Sequence, residues 1–308
     1  MPSRRNPIAT WIQSSILLAF IRFLPLLPLP ISRKIGRGLG RLVYWVIPKI
    51  KMTGLRNMEI AYGDSKTRAE KIELLKKSCS HLGQLGAEFP YIPKLNHPSL
   101  KKYYRVEGME YVDRERGGFL LGAHLGNWEW MATVINLNGI KMVGVVRPLD
   151  DPRLDAAIFE IRKVSGIEIV PKKDASSAMF KRLKEHYLTA ALVDQSPRDN
   201  AVPVTFMGER TWGTVAPAMV AVRAKVPIYP MTMVRDSGGV YTLRIHPPLE
   251  WEREGKTSRE QLLDITQKSQ DVVEGFIREY PEQWLWAHNR FKTRGKLEKE
   301  WAEKEKRA

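Results

Sequence analysis

The residues best placed to do chemistry are His124 and Glu129, in the run Leu120-Leu121-Gly122-Ala123-His124-Leu125-Gly126-Asn127-Trp128-Glu129. An apolar, strand-like stretch ends at His124, Gly126 permits a sharp turn, and Asn127 is a good N-cap for a following helix. Glu129 then falls in the first helical turn, where its carboxylate can fold back towards the imidazole. A carboxylate bonded to one ring nitrogen fixes the tautomer and leaves the other nitrogen as a general base. The helix N-terminus and free backbone N–H groups beside it offer partial positive charge to a developing anion. Spacing alone is weak evidence. Six histidines and 34 acidic residues in 308 positions give roughly 0.7 such pairs by chance. The competing reading is a core histidine at a strand end beside a helix-capping glutamate.

Other chemistries are poorly supplied. The single cysteine, Cys79, falls in a helical stretch with no motif around it, and no Gly-x-Ser-x-Gly elbow exists. Gly208-Glu209-Arg210-Thr211-Trp212-Gly213-Thr214 has the glycine spacing of a phosphate loop but not its lysine. No His-Glu-x-x-His or comparable ligand cluster suggests a metal. The expectation is a general base working without a metal or a bound cofactor.

The elements that must position such a base follow from periodicity. Strand candidates are Gly118–Ala123, Met142–Val146, Ile167–Val170, Ala190–Val193, Val202–Phe206, Ile228–Val234 and Val240–Ile245. Helix candidates are Asn127–Leu137, Pro152–Ser165, Ala175–His186, Val215–Ala224 and Ser258–Glu279. This alternation predicts an α/β domain with a mostly parallel or mixed sheet flanked by helices, and functional groups in the strand-to-helix loops. Residues 32–90 read as helical; Gly36, Gly38 and Gly40 follow no strand, so close helix packing explains them better than nucleotide binding. The domain organisation predicted is a basic, apolar, helical region at 1–60, an α/β domain at 61–292 and a charged tail at 293–308 forming a solvated helix.

A composition of 43% hydrophobic and 27% charged residues excludes disorder, and a formal charge of +16 favours a polyanionic partner. Nucleic acid, an anionic membrane and an acidic carrier protein all qualify. Residues 1–60 hold ten basic residues against Glu59 alone, and these flank the apolar stretch Ile8 to Leu29. Arg22, Pro25 and Pro28 interrupt that stretch, so it reads as a helix in or dipping into one leaflet, with Trp11 at headgroup level. An ordinary buried helix is the alternative. Nucleic-acid binding would instead interleave basic and aromatic residues on a sheet or recognition helix.

His124 to Glu129 resembles the His-x4-Asp/Glu motif of glycerolipid-type acyltransferases. Flanking blocks narrow the resemblance to the bacterial lipid A biosynthesis (lauroyl/myristoyl) acyltransferase family. These are Arg147-Pro148, then Asp151-Pro152-Arg153-Leu154-Asp155, then Arg162; Asp194-Gln195; Val204-Thr205-Phe206-Met207-Gly208 with Thr214; Gln283 to His288 with Arg290-Phe291-Lys292; and Arg56-Asn57. They run in family order over nearly the whole chain. Trp212, Asn289 and Tyr62-Gly63 depart from the usual pattern, which bears on the acceptor lipid.

The resemblance implies transfer of a fatty acyl group from an acyl carrier protein or coenzyme A thioester to a hydroxyl of a membrane glycolipid, with a lipid A precursor as the first choice of acceptor. It implies His124 as general base oriented by Glu129, and Arg147, Arg162, Asp194, Gln195 and Asn127 as substrate-binding residues. It implies no cofactor beyond the acyl co-substrate, and anionic inner-membrane lipids and acyl carrier protein as partners, at the cytoplasmic face. A phosphatidylinositol mannoside or lysophospholipid acceptor remains open, as does a non-catalytic basic membrane- or nucleic-acid-binding module. Acyl chain length depends on the depth of an apolar channel.

Overall fold

The computed structural model describes residues 7–146, 149, 151–164, 166–171, 175–252 and 254–307. Helices α1 (Pro7–Phe23), α2 (Leu29–Val46) and α3 (Pro48–Tyr62) precede the long α4 (Arg68–Glu88) and the short α5 (Pro98–Lys101). Pro25 and Pro28 separate α1 from α2, and Pro48 opens α3 where its missing N–H leaves no helical bond unmade. Thr67 and Glu70 form a reciprocal capping box at the start of α4. Helix α2 lies against α4 without side chains between them. A Cβ on Gly40 would stand 2.0 Å from the Cys79 carbonyl oxygen, and one on Gly83 would stand 2.1 Å from that of Gly36. Close packing therefore accounts for Gly36 and Gly40, as expected, but not for Gly38, which has open space beside it.

Thereafter the chain alternates: β1 (Tyr104–Glu107), β2 (Gly118–Gly122), α6 (Trp128–Leu137), β3 (Met142–Val146), α7 (Pro152–Lys163), β4 (Glu168–Pro171), α8 (Ala175–Lys184) and β5 (Leu188–Leu192). Next come the hairpin β6 (Ala201–Phe206) and β7 (Glu209–Thr214), then α9 (Ala216–Ala224), β8 (Ile228–Arg235), β9 (Tyr241–Ile245), α10 (Ser258–Glu279) and α11 (Gly295–Arg307). Seven strands form one sheet in the order β1-β9-β8-β2-β5-β3-β4. Every pairing in it is parallel except β8 with β9. The mostly parallel α/β architecture is the one the sequence predicts.

Strand β2 is central and buried throughout. Its side chains alternate between two cores: Phe119 and Leu121 join Ala218, Ile265 and Val273 of α9 and α10, whereas Leu120 joins Trp130 and Val134 of α6. Burial on both faces explains its near-continuous apolar run.

Two strands escaped the sequence pattern. The β1 strand is a short, half-exposed edge, and β7 lies in the segment that resembles a phosphate loop. The C-terminal segment is a helix as predicted, but it is not simply solvated. Leu297 is buried, Glu298 pairs with Arg210 and accepts from Trp212 Nε1 at 3.0 Å, and Trp301 meets Trp212 edge-on. Trp212, a departure from the family pattern, thus docks α11 on the hairpin.

Thirteen of the eighteen large hydrophobic side chains exposed among the described residues lie between Trp11 and Met52. Among the described residues no helix is long and apolar enough to cross a membrane.

Candidate active site

Parallel register builds the site. Gly122 of β2 pairs with Leu192 of the adjacent β5, so the residues two positions beyond each, His124 and Asp194, emerge level at the carboxyl ends of the strands. Open parallel sheets bind ligands at these ends. Asp194 Oδ1 accepts from the His124 backbone N–H at 3.0 Å and lies 2.8 Å from Nδ1. Its Oδ2 accepts from Trp284 Nε1 at 2.8 Å. The carboxylate bonded to the imidazole is therefore Asp194 and not Glu129, a correction to the expectation from spacing.

An ionised Asp194 accepts the Nδ1–H, leaving Nε2 with its lone pair; Gln195 Nε2 stands 3.2 Å away and donates to it. Burial opposes charge on His124, but the Asp194 carboxylate, through charge and hydrogen bond, and the Glu129 charge outweigh it. The imidazole is held above its ordinary pKa. Burial of Asp194 works the other way from its three donors, which win and hold it below the usual carboxylate range.

Glu129 does lie in the first turn of α6, but it faces Arg162 of α7. Arg162 donates from Nε to Oε2 at 3.2 Å and from NH2 to Oε1 at 2.7 Å, a two-pronged ion pair. The Arg162 guanidinium also lies over the Phe89 ring, 5.7 Å from its centroid. The block from Asp151 to Asp155 starts α7: Asp151 caps it, accepting from the Arg153 N–H at 2.9 Å, and Pro152 occupies the first turn.

Asn127 is fully buried. Its Oδ1 accepts from the Trp130 N–H at 2.9 Å and its Nδ2 donates to Glu88 Oε2 at 2.8 Å. It is the N-cap that the sequence indicates, but it is not placed to touch a substrate, which corrects its assignment as a binding residue. The turn's N–H groups are not all free either. Gly126 N–H donates to Gln283 O at 3.0 Å and Asn127 N–H to Met233 O at 2.8 Å. Gly126 has φ +64°, and a Cβ there would stand 2.0 Å from the Met233 carbonyl oxygen, so only glycine fits. Arg147 lies outside the described residues.

Three supports were missed by sequence reasoning. His81 donates from Nε2 to the Gly126 carbonyl at 3.1 Å, and burial pushes its pKa down to about 4, so it stays neutral. Trp284 holds Asp194. Trp128 is half-buried with its ring edge-on to His124 at 5.3 Å between centroids. No local pattern announces the contacts of His81 and Trp284, because their partners lie on distant elements. The Arg56-Asn57 block acquires a reason: Asn57 is buried and its Nδ2 donates to the carbonyls of Trp286 and His288, fixing the loop that carries Trp284. Arg290 is likewise structural, buried over the Phe206 ring and donating to Trp212 O and Gln270 Oε1.

An apolar groove of about 590 Å³ opens beside this centre. Helices α1, α2 and α4 wall it with Phe20, Val43 and Leu82, the turn after α1 adds Leu24, and α7 adds Leu154 and Ile158. Its polar end is the Glu129–Arg162 pair. Leu285, whose N–H donates to the His124 carbonyl at 3.1 Å, lines the same groove. The arrangement can bring an apolar chain against a cation, with the carboxylate-backed imidazole adjoining the groove wall through Leu285. Among the described residues no cluster of three or more His, Cys, Asp and Glu side chains could hold a metal.

The family model described as "Bacterial lipid A biosynthesis acyltransferase" matches residues 2–293. A lipid A biosynthesis acyltransferase of Haemophilus influenzae is 27% identical over 291 residues, spanning 90% of this chain and 89% of its own. A lipid A biosynthesis lauroyltransferase of Escherichia coli is 26% identical, over 92% of both chains. A phosphatidylinositol mannoside acyltransferase of Mycobacterium tuberculosis is 22% identical over 68% of both. The match extends from the N-terminal helices through the site to the loop carrying Trp284, and with it the chain belongs to the bacterial lipid A biosynthesis acyltransferase family and is an acyltransferase.

Proposed function

We propose that this protein transfers a fatty acyl group from a thioester of acyl carrier protein or coenzyme A to a hydroxyl of a lipid A precursor, at the cytoplasmic face of a bacterial inner membrane. The observation that carries the reading is the imidazole of His124, bonded at Nδ1 by buried Asp194, beside a groove of acyl character.

Nε2 of His124 takes the proton from the acceptor hydroxyl as its oxygen attacks the thioester carbonyl carbon. The C–O bond forms, the C–S bond breaks, and the imidazolium returns the proton to the leaving thiolate. Asp194 keeps the productive tautomer and stabilises the imidazolium without taking the proton itself. In the resting protein Gln195 occupies the Nε2 lone pair, and the acceptor hydroxyl replaces it. Arg162, held by Glu129 at the end of the groove, offers a guanidinium to the carbonyl oxygen or to a phosphate of either substrate. Arg147 belongs to the same group of phosphate-binding candidates. Glu129 acts by placing Arg162 and by its field on His124.

The groove receives the acyl chain. The exposed apolar side chains of α1 to α3, Trp11 and Trp45 among them, enter the headgroup region, and Arg22, Lys34, Arg41, Lys49 and Lys51 attract anionic lipid. The same positive charge suits acyl carrier protein, an acidic donor.

The test is a reconstituted reaction with purified protein in phospholipid micelles, acyl-loaded carrier protein or acyl coenzyme A, and a lipid A precursor, read by mass spectrometry. One acyl increment on the precursor, absent with His124→Ala, is the expected result. An increment only on a phosphatidylinositol mannoside or lysophospholipid would replace the acceptor. Transfer undiminished in His124→Ala would overturn the mechanism.

A further inference from the structure

Four glycines of α2 and α4, Gly36, Gly40, Gly83 and Gly86, line the groove. Three have a steric reason to be glycine. A Cβ on Gly36, Gly40 or Gly83 would meet backbone of the facing helix at 2.4, 2.0 or 2.1 Å. Gly86 has none. No atom lies within 4 Å of the place its Cβ would take, its φ is not positive, and the residue is exposed in the groove wall. Glycine inside a helix weakens it relative to alanine, so helix propensity alone would favour a side chain here. The empty volume is what the missing side chain leaves.

Position gives that volume a meaning. Gly86 lies one turn before Phe89 and Pro90, and Phe89 is the ring beneath Arg162. Leu82 and Cys79 line the groove one and two turns further along α4, away from the polar end, with Val43 of α2 and Ile50 of α3. A side chain at position 86 would therefore narrow the groove between the Glu129–Arg162 pair and its deeper half.

We infer that Gly86 sets the acyl chain length this protein accepts, by leaving open the passage through which the distal part of the chain reaches the space beside Leu82 and Cys79. This rests on the acyl-transfer reading above and adds the residue that discriminates among donors. One methylene gained or lost in an apolar pocket changes discrimination by roughly tenfold or more, so a leucine at this position has a readable consequence.

The experiment is a competition among octanoyl, decanoyl, dodecanoyl, tetradecanoyl and hexadecanoyl carrier-protein thioesters, with products resolved by mass. It is run on wild type, Gly86→Ala, Gly86→Leu and Gly275→Leu. Gly275 is the control, a glycine inside α10 with equally open space but outside the groove. In parallel, free fatty acids of the same lengths displace a fluorescent fatty acid from each protein, a measurement that needs neither donor protein nor acceptor.

Gly86→Leu is expected to shift both profiles to shorter chains, lowering the long-to-short ratio by about tenfold or more. Gly86→Ala shifts them in the same direction by less, and Gly275→Leu not at all. An unchanged profile in Gly86→Leu, or a loss equal at every length in both position-86 variants, overturns the inference. If wild type transfers no acyl group yet its fatty-acid profile shortens in Gly86→Leu, the acyl-transfer reading fails while Gly86 remains the residue that limits the groove.

Discussion

Two carboxylate–base pairs stand side by side in this site, and they are built differently. Asp194 is 2% exposed and takes three hydrogen bonds, from His124 N, His124 Nδ1 and Trp284 Nε1. Glu129, with a side chain 17% exposed, pairs with an Arg162 side chain 32% exposed at the rim of the groove. The first carboxylate is locked at the carboxyl ends of two parallel strands, with its hydrogen bonds taken up by His124 and Trp284. The second lines the apolar groove and holds a cation that is always charged. The lesson is a division of labour: the acid close in sequence to the histidine places an arginine, and the acid seventy residues away in sequence holds the ring.

The largest effect belongs to the proposed base. His124→Ala is expected to lower kcat/KM about 10⁴-fold, measured as acyl transfer at saturating acceptor, with membrane binding unchanged. Asp194→Asn comes next, at about 10³-fold, almost all of it in kcat, because an amide facing Nδ1 no longer fixes the tautomer. If Asp194→Asn costs less than Glu129→Gln, the two pairs have been assigned the wrong way round.

Arg162→Gln tests the other pair. An arginine that meets a phosphate or the carbonyl oxygen should cost about 10²-fold, and the split between KM for the donor and kcat separates the two uses. Glu129→Gln removes the two-pronged ion pair on Arg162 and is expected to cost less than removing Arg162. Its KM is the sensitive quantity, since the Nδ1 bond of His124 stays intact.

That division could not be read from the sequence, although most of the framework could. The apolar runs from Phe119 to Leu121 and from Ile228 to Val234 are fully buried strands, and the Pro152 and Thr257 starts of α7 and α10 carry local signals that tertiary structure left in force. His124, the turn at Gly126 and the cap at Asn127 are local too, and each stands where the spacing puts it. What holds His124 is not local. Asp194 is level with it only because β2 and β5 are neighbours in a particular parallel register, and nothing in either strand states which strand pairs with which. The same blindness hid Trp284 and His81. It also made Asn127 look available, since a helix cap and a substrate contact call for the same amide, and only Glu88, from another helix, decides between them. The β7 strand failed for a different reason: Gly213 packs against Val204 and Thr266, so a glycine that resembled a loop residue is a place where a strand lies close to α10.

The finest distinction between the two pairs lies in pH dependence. A histidine acts as a base only when neutral, and the pKa of His124 stands above the ordinary 6.5 because two carboxylates favour the imidazolium. Activity should therefore rise with pH through a midpoint above 6.5 and level off once the ring is neutral. Asp194 contributes to that elevation through both charge and hydrogen bond, Glu129 through charge alone. Removing either charge makes the imidazolium less favourable, so the midpoint must move down and never up. Asp194→Asn, which leaves burial opposed only by Glu129, is expected to move it further than Glu129→Gln. The kcat/KM profiles of wild type and both variants, measured from pH 5 to 9 at constant ionic strength, check the order. An upward shift in Glu129→Gln would mean that its carboxylate reaches His124 by a route other than its field.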